Sequence, residues 1–358
     1  MGLDQKFWSD KKVLLTGHTG FKGGWLSVLL KYLNAEVAGL SLAPEKESFY
    51  NKVDLGSIVT NVTGDIRIYD NLLEVQEGFS PDILIHMAAQ PLVIRSYEDP
   101  IETYSTNIMG TVNVLELIRG SNTIRSGVII TTDKCYENKN LNRGYTEEDQ
   151  MGGHDPYSSS KGAAELVISS YQRSFFSKKH FLNGQSSIGS VRAGNVIGGG
   201  DYAENRLIPD FIRSIKSKKI IEIRSPSSTR PWQHVLEPLS GYLIVAQKLY
   251  EEGPSESDAW NFGPFQEDIK PVADVADLFC QSWGDGLAWN SGVLGDYHEA
   301  KNLSLDIRKA EETLGWIPNW SLNTTIEKVV EWYKAEINGQ DCLEMTYSQI
   351  EDYLNATS

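Results

Sequence analysis

The sequence predicts an α/β fold in which helices cover both faces of a parallel β-sheet, a doubly wound arrangement. Short apolar runs alternate with longer segments of helical periodicity through residue 200. The apolar runs contain almost no polar residue, as expected of strands that are buried on both faces. A chain of 358 residues also leaves room for a second, smaller lobe of mixed α/β structure.

The predicted elements alternate regularly in the first half of the chain. Strands are predicted over 12–15, 37–42, 82–87, 127–131 and 187–192, and helices over 25–33, 111–118 and 162–174. Beyond residue 195 the predicted elements are a strand over 220–224 and helices over 238–250 and 326–337. We expect a dinucleotide-binding domain over 1–192, to which 236–264 returns, and a substrate-binding lobe over 193–235 and 265–358.

Composition restricts the functions that are open to the chain. The formal net charge of −15 would be repelled by a nucleic-acid backbone, so no nucleic-acid partner is expected. The three cysteines are far apart, which predicts reduced thiols, and no residue spacing suggests a metal site. No apolar stretch approaches the roughly 18 residues that a membrane span needs, and the first predicted strand leaves no room for a signal peptide. These features predict a cytoplasmic protein without a membrane partner.

A glycine-rich turn joins the first predicted strand to the first predicted helix. In VLLTGHTGFKGGWL, two residues separate Gly17 from Gly20 and Gly20 from Gly23. Such glycines permit a tight turn, a close backbone approach to a pyrophosphate, and helix-to-strand packing, and the helix N-terminus attracts negative charge. The turn predicts a dinucleotide site of Rossmann type. The residues predicted to form it are Gly17, Thr19, Gly20, Phe21, Lys22 and Gly23.

The end of the second predicted strand bears on the choice between NAD and NADP. The segment GLSLA, over 39–43, has neither the acidic residue that holds an adenine ribose nor a basic cluster for a 2′-phosphate. Because the 2′-phosphate of NADP needs a cation, the absence of basic residues in this segment favours NAD over NADP. Further along, Asp65 could reach the adenine amine, with Ile66 beside it, although a structural turn aspartate is about equally supported.

A tyrosine and a lysine four residues apart form a candidate catalytic pair. Tyr157 and Lys161, in HDPYSSSKGAAEL, lie on one face of a helix because positions i and i+4 are neighbours. A free tyrosine has a pKa near about 10, too high for a base at neutral pH. A nearby ammonium group and a positive nicotinamide favour the phenolate, which could take the proton of a substrate alcohol. The alternative is an ordinary surface pair.

These motifs together resemble a known family. The order TGHTGFKG, HMAAQ, TTDK and YSSSK is similar to that in extended short-chain dehydrogenase/reductases acting on nucleotide sugars. More narrowly, TTDKCYEN, RAGNVIGGGD and RPWQHVLEPLSGYL resemble the 4,6-dehydratases that act on CDP-glucose. The resemblance runs from about residue 8 to about residue 330. It implies NAD as cofactor, a CDP-sugar as substrate, a role in deoxysugar biosynthesis of the O-antigen type, and a homodimer or homotetramer. It also implies cofactor contacts from Ala88, Ala89 and Gln90, and from the catalytic pair Tyr157 and Lys161.

The resemblance gives roles to the polar residues that follow the strand over 127–131. A 4,6-dehydratase oxidises C4, eliminates water across C5 and C6, and returns hydride to C6. Asp133 fits the acid for the C6 hydroxyl if burial keeps it protonated, and Thr132 fits the hydroxyl that steadies the C4 oxygen. Lys134 is either the base at C5, which we prefer, or a cation that stabilises the enolate. A strand-end ion pair is the structural alternative.

The second lobe supplies candidate contacts to the nucleotide diphosphate. Asn195 could bond the diphosphate, and Arg230 has a guanidinium group suited to bidentate phosphate binding. Arg206 is a second cation of this lobe, and His234 lies in the same block as Arg230. Each arginine could instead form a surface salt bridge.

Two other functions remain open at this point. A nucleotide-sugar 4-epimerase would use Tyr157 and Lys161 but would not need the acid and cation at 133 and 134. A catalytically dead dinucleotide-binding protein would not be expected to keep Thr132, Tyr157 and Lys161 together.

Overall fold

The structure is a computed structural model that describes residues 2–255, 258–292 and 303–356. Its centre is a seven-stranded sheet in which every neighbouring pair is parallel. In sheet order the strands are Ala259–Phe262, Ser187–Ala193, Ser126–Ile130, Ile83–His86, Lys12–Thr16, Glu36–Ser41 and Thr60–Thr63. The strand order reverses beside Lys12–Thr16, and such a reversal opens a crevice at the carboxyl ends of the strands. The predicted doubly wound Rossmann-type fold is confirmed.

Helices cover both faces of this sheet. The longer helices are Phe21–Tyr32, Tyr69–Phe79, Gly110–Gly120, Pro156–Phe175, Leu207–Lys216, Leu236–Glu252, Val272–Trp283, Leu322–Ile337 and Cys342–Ala356. The shorter helices are Gln5–Trp8, Phe49–Lys52, Val93–Glu98, Pro100–Tyr104, Lys178–Leu182 and Arg308–Leu314. Within the described ranges no helix is long and apolar enough to cross a membrane.

Within the described residues, three two-stranded sheets lie in segments where the second lobe was predicted. They pair Val196–Ile197 with Gln233–His234, Thr229–Pro231 with Ile269–Pro271, and Ile221–Ile223 with Trp289–Ser291. Segments 193–235 and 265–292 thus contribute short strands outside the main sheet. The helix Leu236–Glu252 lies on the main sheet, where its carbonyl groups at Ala246 and Leu249 accept hydrogen bonds from Ser126 and Ser187.

Alternation along the central strand divides the interior into two cores. Val13 and Leu15 face the larger core, which holds Trp25 and Trp332, whereas Leu14 faces a smaller core on the opposite side. This alternation follows from the two-residue period of a strand, and burial on both faces explains the uninterrupted apolar composition.

The sequence did not predict the two outermost strands of the sheet. Thr60–Thr63 is mostly exposed, and Ala259–Phe262 contains a polar residue, Asn261, among its four. Among the described residues each of these strands pairs with a single neighbour in the sheet, so neither needs the fully apolar composition on which the prediction relied.

Candidate active site

The glycine turn forms a close-fitting backbone cradle. Gly17 has a φ of +81°, and a side chain there would place Cβ 2.7 Å from the backbone nitrogen of Ala88. At Gly23 a Cβ would lie 2.1 Å from the carbonyl oxygen of Gly17. Gly20 is the N-cap of the helix Phe21–Tyr32 and gives it no side-chain cap, so the first N–H groups of the helix have no partner within the helix. Only glycine fits at Gly17 and Gly23, so the cradle suits the pyrophosphate of a dinucleotide.

The end of the second strand is held by uncharged groups. The Thr19 hydroxyl donates to the carbonyl of Leu42 at 3.1 Å, and the Thr19 N–H donates to Ser41 Oγ at 3.3 Å. His18 bonds Ser41 through Nδ1 at 3.0 Å and Asn61 Oδ1 through Nε2 at 2.7 Å. Since the Asn61 oxygen can only accept, Nε2 carries the proton and Nδ1 accepts from Ser41. None of these five residues carries a charge that would attract or repel a 2′-phosphate.

Two predicted adenine contacts lie beyond this strand. Asp65 accepts hydrogen bonds from the Arg67 guanidinium, at 2.6 Å for the shortest, and these hold the pKa of the Asp65 carboxyl below its usual value. Ile66 is buried, and its Cδ1 would lie 2.4 Å from a Cβ placed on Gly110. Contacts of Asp65 and Ile66 with the adenine therefore stay predictions.

The segment after the fourth strand lies against the glycine cradle. The N–H of Ala88 donates to Thr16 Oγ1 at 3.2 Å, with Ala89 next in the chain. Gln90 is buried, and its side-chain nitrogen donates to Thr103 Oγ1 at 2.8 Å, while its N–H donates to Asn107 Oδ1 at 2.9 Å. This segment is thus fixed where a cofactor above the cradle would pass.

The catalytic candidates at the end of the strand Ser126–Ile130 lie in a short 3₁₀ turn, Asp133–Cys135. The Thr132 hydroxyl donates to Asp133 Oδ1 at 3.0 Å and accepts from the Lys134 N–H at 3.4 Å. Asp133 is only 2% exposed, and its second oxygen, Oδ2, has no hydrogen-bond partner among the described residues. Burial raises the pKa of the Asp133 carboxyl, while the Lys134 charge and the Thr132 hydrogen bond oppose that rise. The acid predicted here is thus held where the protonated form is favoured.

The tyrosine and lysine pair occupies the first turns of the helix Pro156–Phe175. Burial raises the pKa of Tyr157 to about 12. The hydrogen bond with the Thr132 side chain and the charge of Arg206 lower this pKa but do not offset the effect of burial. The Lys161 Nζ donates to the carbonyl of Ile130 at 3.2 Å, and burial lowers the pKa of this lysine to about 8. The prediction of a phenolate rested on nearby positive charge and left out the desolvation of the phenol. In the protein alone burial dominates, so Tyr157 is a phenol at neutral pH.

Three cations, Lys22, Arg206 and Arg230, act electrostatically on the catalytic candidates. Burial lowers the pKa of Lys22 to about 8, and the charge of Arg206 lowers it further. Arg206 donates to Asp201 Oδ2 at 2.9 Å, and its charge also acts on Tyr157. Arg230 is 7% exposed, donates to the carbonyl of Thr229 at 2.9 Å, and lowers the pKa of Asp133. The fold thus brings both predicted arginines of the second lobe to the catalytic candidates.

Two other predicted substrate contacts lie on the paired strands of the second lobe. The carbonyl of Asn195 accepts from the Gln233 N–H at 3.1 Å, and the Asn195 side chain is partly exposed. His234 is fully buried, with Trp25 and Trp320 packed edge-on at ring-centroid distances of 5.5 and 4.9 Å. A histidine enclosed by two tryptophans presents no surface to a substrate, so we leave His234 out of the proposed substrate site.

His234→Phe is expected to reduce acid lability without weakening substrate binding. Burial lowers the pKa of His234 from 6.5 to about 3. Between these two pH values the ring is protonated in the unfolded chain but neutral in the folded protein. The neutral ring contributes its full share to the free energy of unfolding above pH 6.5. This contribution decreases as the pH falls toward 3, and the decrease reaches about 2 kcal/mol at pH 5. Thermal midpoints at pH 7.5 and 5 should therefore differ less in the variant. A tenfold rise in substrate KM would instead return His234 to the substrate site.

One residue near the catalytic groups was not predicted from the sequence. Tyr242, on the helix Leu236–Glu252, is fully buried, and its hydroxyl has no hydrogen-bond partner within the described part of the chain. Burial raises the pKa of Tyr242, and the charges of Tyr157 and Asp133 add to that rise. Helical periodicity marks Tyr242 as a core position, so no signal in the sequence separates its hydroxyl from ordinary core packing.

Comparison with known proteins places this site in a family. A sequence profile of the NAD dependent epimerase/dehydratase family matches residues 13–263. A CDP-glucose 4,6-dehydratase of Salmonella typhimurium is 49% identical over 357 residues, which cover 99% of each chain. The chain therefore belongs to the NAD dependent epimerase/dehydratase family, the nucleotide-sugar branch of the extended short-chain dehydrogenase/reductases, and its cofactor is NAD.

Solved structures show the same fold at lower identity. A UDP-glucose 4-epimerase of Thermotoga maritima, with UDP-glucose, has a TM-score of 0.78 at 19% identity and covers 91% of this chain and 99% of its own. A dTDP-glucose 4,6-dehydratase of Bacillus anthracis, in complex with NAD, has a TM-score of 0.73 at 20% identity and covers 93% and 99%. Epimerases and dehydratases thus share this fold, and the reaction must be argued from the site residues.

Proposed function

We propose that the protein is a CDP-glucose 4,6-dehydratase, a hydro-lyase that converts CDP-D-glucose to CDP-4-dehydro-6-deoxy-D-glucose and water. The observation that carries this proposal is the buried carboxyl of Asp133 beside Thr132 and Tyr157. An epimerase only oxidises and reduces C4, so it needs no acid there. The 49% identity to the Salmonella enzyme supports the same reaction and the CDP group.

Oxidation at C4 relies on the groups of the helix Pro156–Phe175. The glycine cradle would hold NAD, which would supply the hydride acceptor for C4 and the hydride donor for C6, so no cofactor would be consumed overall. Tyr157 takes the proton of the C4 hydroxyl, and Thr132, which contacts Tyr157, steadies the C4 oxygen. Lys161 holds the end of the strand Ser126–Ile130 through its hydrogen bond to Ile130, and the charge of Arg206 lowers the pKa of the phenol. A positive nicotinamide further favours the phenolate form of Tyr157.

Elimination relies on the 3₁₀ turn. The C4 ketone makes the C5 proton acidic, and Lys134, as the neutral amine, takes that proton and becomes the ammonium in the role we prefer. Asp133, whose pKa is raised by burial, gives its proton to the departing C6 hydroxyl, which leaves as water. Proton removal at C5 and proton donation at C6 balance, and the double bond between C5 and C6 is the product of this step.

The cations bind the diphosphate end of the substrate in this proposal. Arg230 and Arg206 act electrostatically on Asp133 and Tyr157 respectively, so a sugar over these groups would place its diphosphate near the guanidinium groups. Asn195 adds an amide at the same lobe. In a chain of net charge −15, such local cations are what makes an anionic substrate acceptable.

Incubation with CDP-glucose tests the function directly. We expect a 4-keto-6-deoxy product from CDP-glucose, with slower turnover of UDP-, dTDP- and GDP-glucose in parallel reactions. CDP-galactose as product would show an epimerase instead. An absence of turnover with every sugar, while NAD still binds, would indicate a catalytically dead dinucleotide-binding protein.

A homodimer or homotetramer completes the proposal, with the product passing to cytoplasmic deoxysugar biosynthesis. Leu166, on the helix Pro156–Phe175, is 63% exposed, and Met109, beside the helix Gly110–Gly120, is 53% exposed. Apolar side chains on two adjacent helices are explained if a second copy covers them. Sedimentation at working concentration should therefore show a particle of at least twice 40.0 kDa, and a purely monomeric particle would contradict this arrangement.

A further inference from the structure

A buried ion pair lies behind the catalytic turn. The carboxylate of Glu165 and the guanidinium of Arg192 are 3% and 5% exposed and form two hydrogen bonds, at 2.7 and 2.9 Å. Glu165 lies one helical turn beyond Lys161, and Arg192 is on the strand Ser187–Ala193. A buried ion pair rarely adds net stability, because desolvation offsets the attraction. The role of this ion pair is therefore sought in its other hydrogen bonds.

Glu165 fastens the beginning of the catalytic turn. Its Oε1 accepts a short hydrogen bond from the Thr131 hydroxyl, and its Oε2 accepts from the Ser190 hydroxyl at 2.8 Å. Thr131 directly precedes Thr132 and follows Ile130, whose carbonyl oxygen binds Lys161. The carboxylate thus ties the catalytic helix to the ends of two neighbouring strands.

Arg192 fastens the end of the same turn. Its Nη1 donates to the Tyr136 hydroxyl at 2.7 Å, and that hydroxyl donates to Asn261 Oδ1 at 2.8 Å. Tyr136 is buried and directly follows Cys135, the last residue of the 3₁₀ turn. One ion pair therefore holds both ends of the six-residue segment 131–136.

We propose that Glu165 and Arg192 are positioning residues that fix Asp133 and Lys134 for elimination, with Tyr136 as the connecting hydroxyl. This inference rests on the proposed dehydratase function. Tyr157 and Lys161 stand on a long helix, whereas Asp133 and Lys134 stand in a single 3₁₀ turn. Misplacement of a reacting group by about 1 Å can cost about a hundredfold in rate. Loosening the turn should therefore impair elimination more than oxidation.

Tyr136→Phe tests the connection without leaving a buried charge unpaired. Removal of Arg192 or Glu165 would strand its partner in the core and threaten folding. Tyr136→Phe removes only the hydroxyl. We expect the rate of cofactor reduction to stay within about twofold of the unchanged protein, product formation to fall roughly tenfold, and reduced nicotinamide to accumulate.

Tyr145→Phe is the matched control. Tyr145 stacks on Tyr136 at a ring-centroid distance of 5.4 Å, but its hydroxyl bonds the Lys139 N–H at 2.7 Å and Asn138 Oδ1 at 3.0 Å, outside the catalytic turn. This variant should leave cofactor reduction and product formation within about twofold of the unchanged protein. Equal slowing of both steps in Tyr136→Phe, or no slowing, would overturn the inference.

Amide hydrogen exchange separates this inference from the proposed function, because it needs no substrate. Exchange over residues 131–136 should be about tenfold faster in Tyr136→Phe than in Tyr145→Phe. Unchanged exchange would refute the positioning role even if turnover fell. Faster exchange in a protein that converts no CDP-glucose would support the positioning role and refute the dehydratase.

Discussion

Tyr157→Phe is expected to stop the reaction before any reduced cofactor forms, with a loss of at least about a thousandfold in product formation. Phenylalanine keeps the ring in its buried position but leaves no group to take the proton of the C4 hydroxyl. Single-turnover absorbance of the nicotinamide, after mixing with CDP-glucose, measures the first step directly. The variant should still bind NAD, because the glycine cradle is unaltered.

Asp133→Asn is the informative comparison for this variant. The amide cannot give a proton to the C6 hydroxyl, but oxidation at C4 does not require that proton. Reduced nicotinamide should therefore form and persist while loss of water stalls. If both variants are blocked before oxidation, the division of labour between the helix and the turn is wrong.

Lys134→Met is expected to permit oxidation and to abolish exchange of the C5 proton. In heavy water the unchanged enzyme should give product with deuterium at C5, while a deuterium label at C4 should arrive at C6 of the same molecule. Methionine has no proton-accepting group and no charge, so both roles of Lys134 are lost together. Product formation should fall by roughly a hundredfold or more, as for loss of a general base. Undiminished turnover would rule out both roles and leave Lys134 as a structural residue of the turn.

Lys134→Glu distinguishes the two roles. A carboxylate can act as a base at C5 but cannot stabilise an enolate oxygen as a cation does. Recovery of elimination in the glutamate variant would support the base. A loss as deep as that of Lys134→Met, in a protein that folds and binds NAD, would favour electrostatic stabilisation.

Local patterns allowed the sheet and the cofactor cradle to be predicted. The strand Lys12–Thr16 and the helix Phe21–Tyr32 follow from periodicity, and the steric requirement at Gly17 and Gly23 follows from glycine spacing. These features depend on neighbours in the sequence, so local patterns reveal them. The polar motif TTDK likewise indicates a chemical role at a strand end, because buried strands are otherwise apolar.

Long-range partners could not be predicted in the same way. Glu165 lies 27 residues from Arg192, and Tyr136 lies 125 residues from Asn261, so periodicity carries no information on either pairing. The effect of desolvation on Tyr157 and His234 could not be predicted for a related reason. The pKa of Tyr157 depends on how completely several elements enclose it, and His234 owes its burial to tryptophans from distant segments.

After the segment 193–235 the chain returns to the main sheet. This return limits how substrate preference could be transferred from a relative. A hybrid joined at a single point near residue 193 would exchange the helix Leu236–Glu252 and the strand Ala259–Phe262 together with the segment 193–235, which holds the proposed diphosphate contacts. Any mismatch there would uncover the strand Ser187–Ala193, whose free edge could then pair with other chains. Exchange of the internal segment 193–235 alone keeps the sheet intact. A new substrate preference would therefore be transferred by replacing an internal segment of the chain, not by joining two chains at one point.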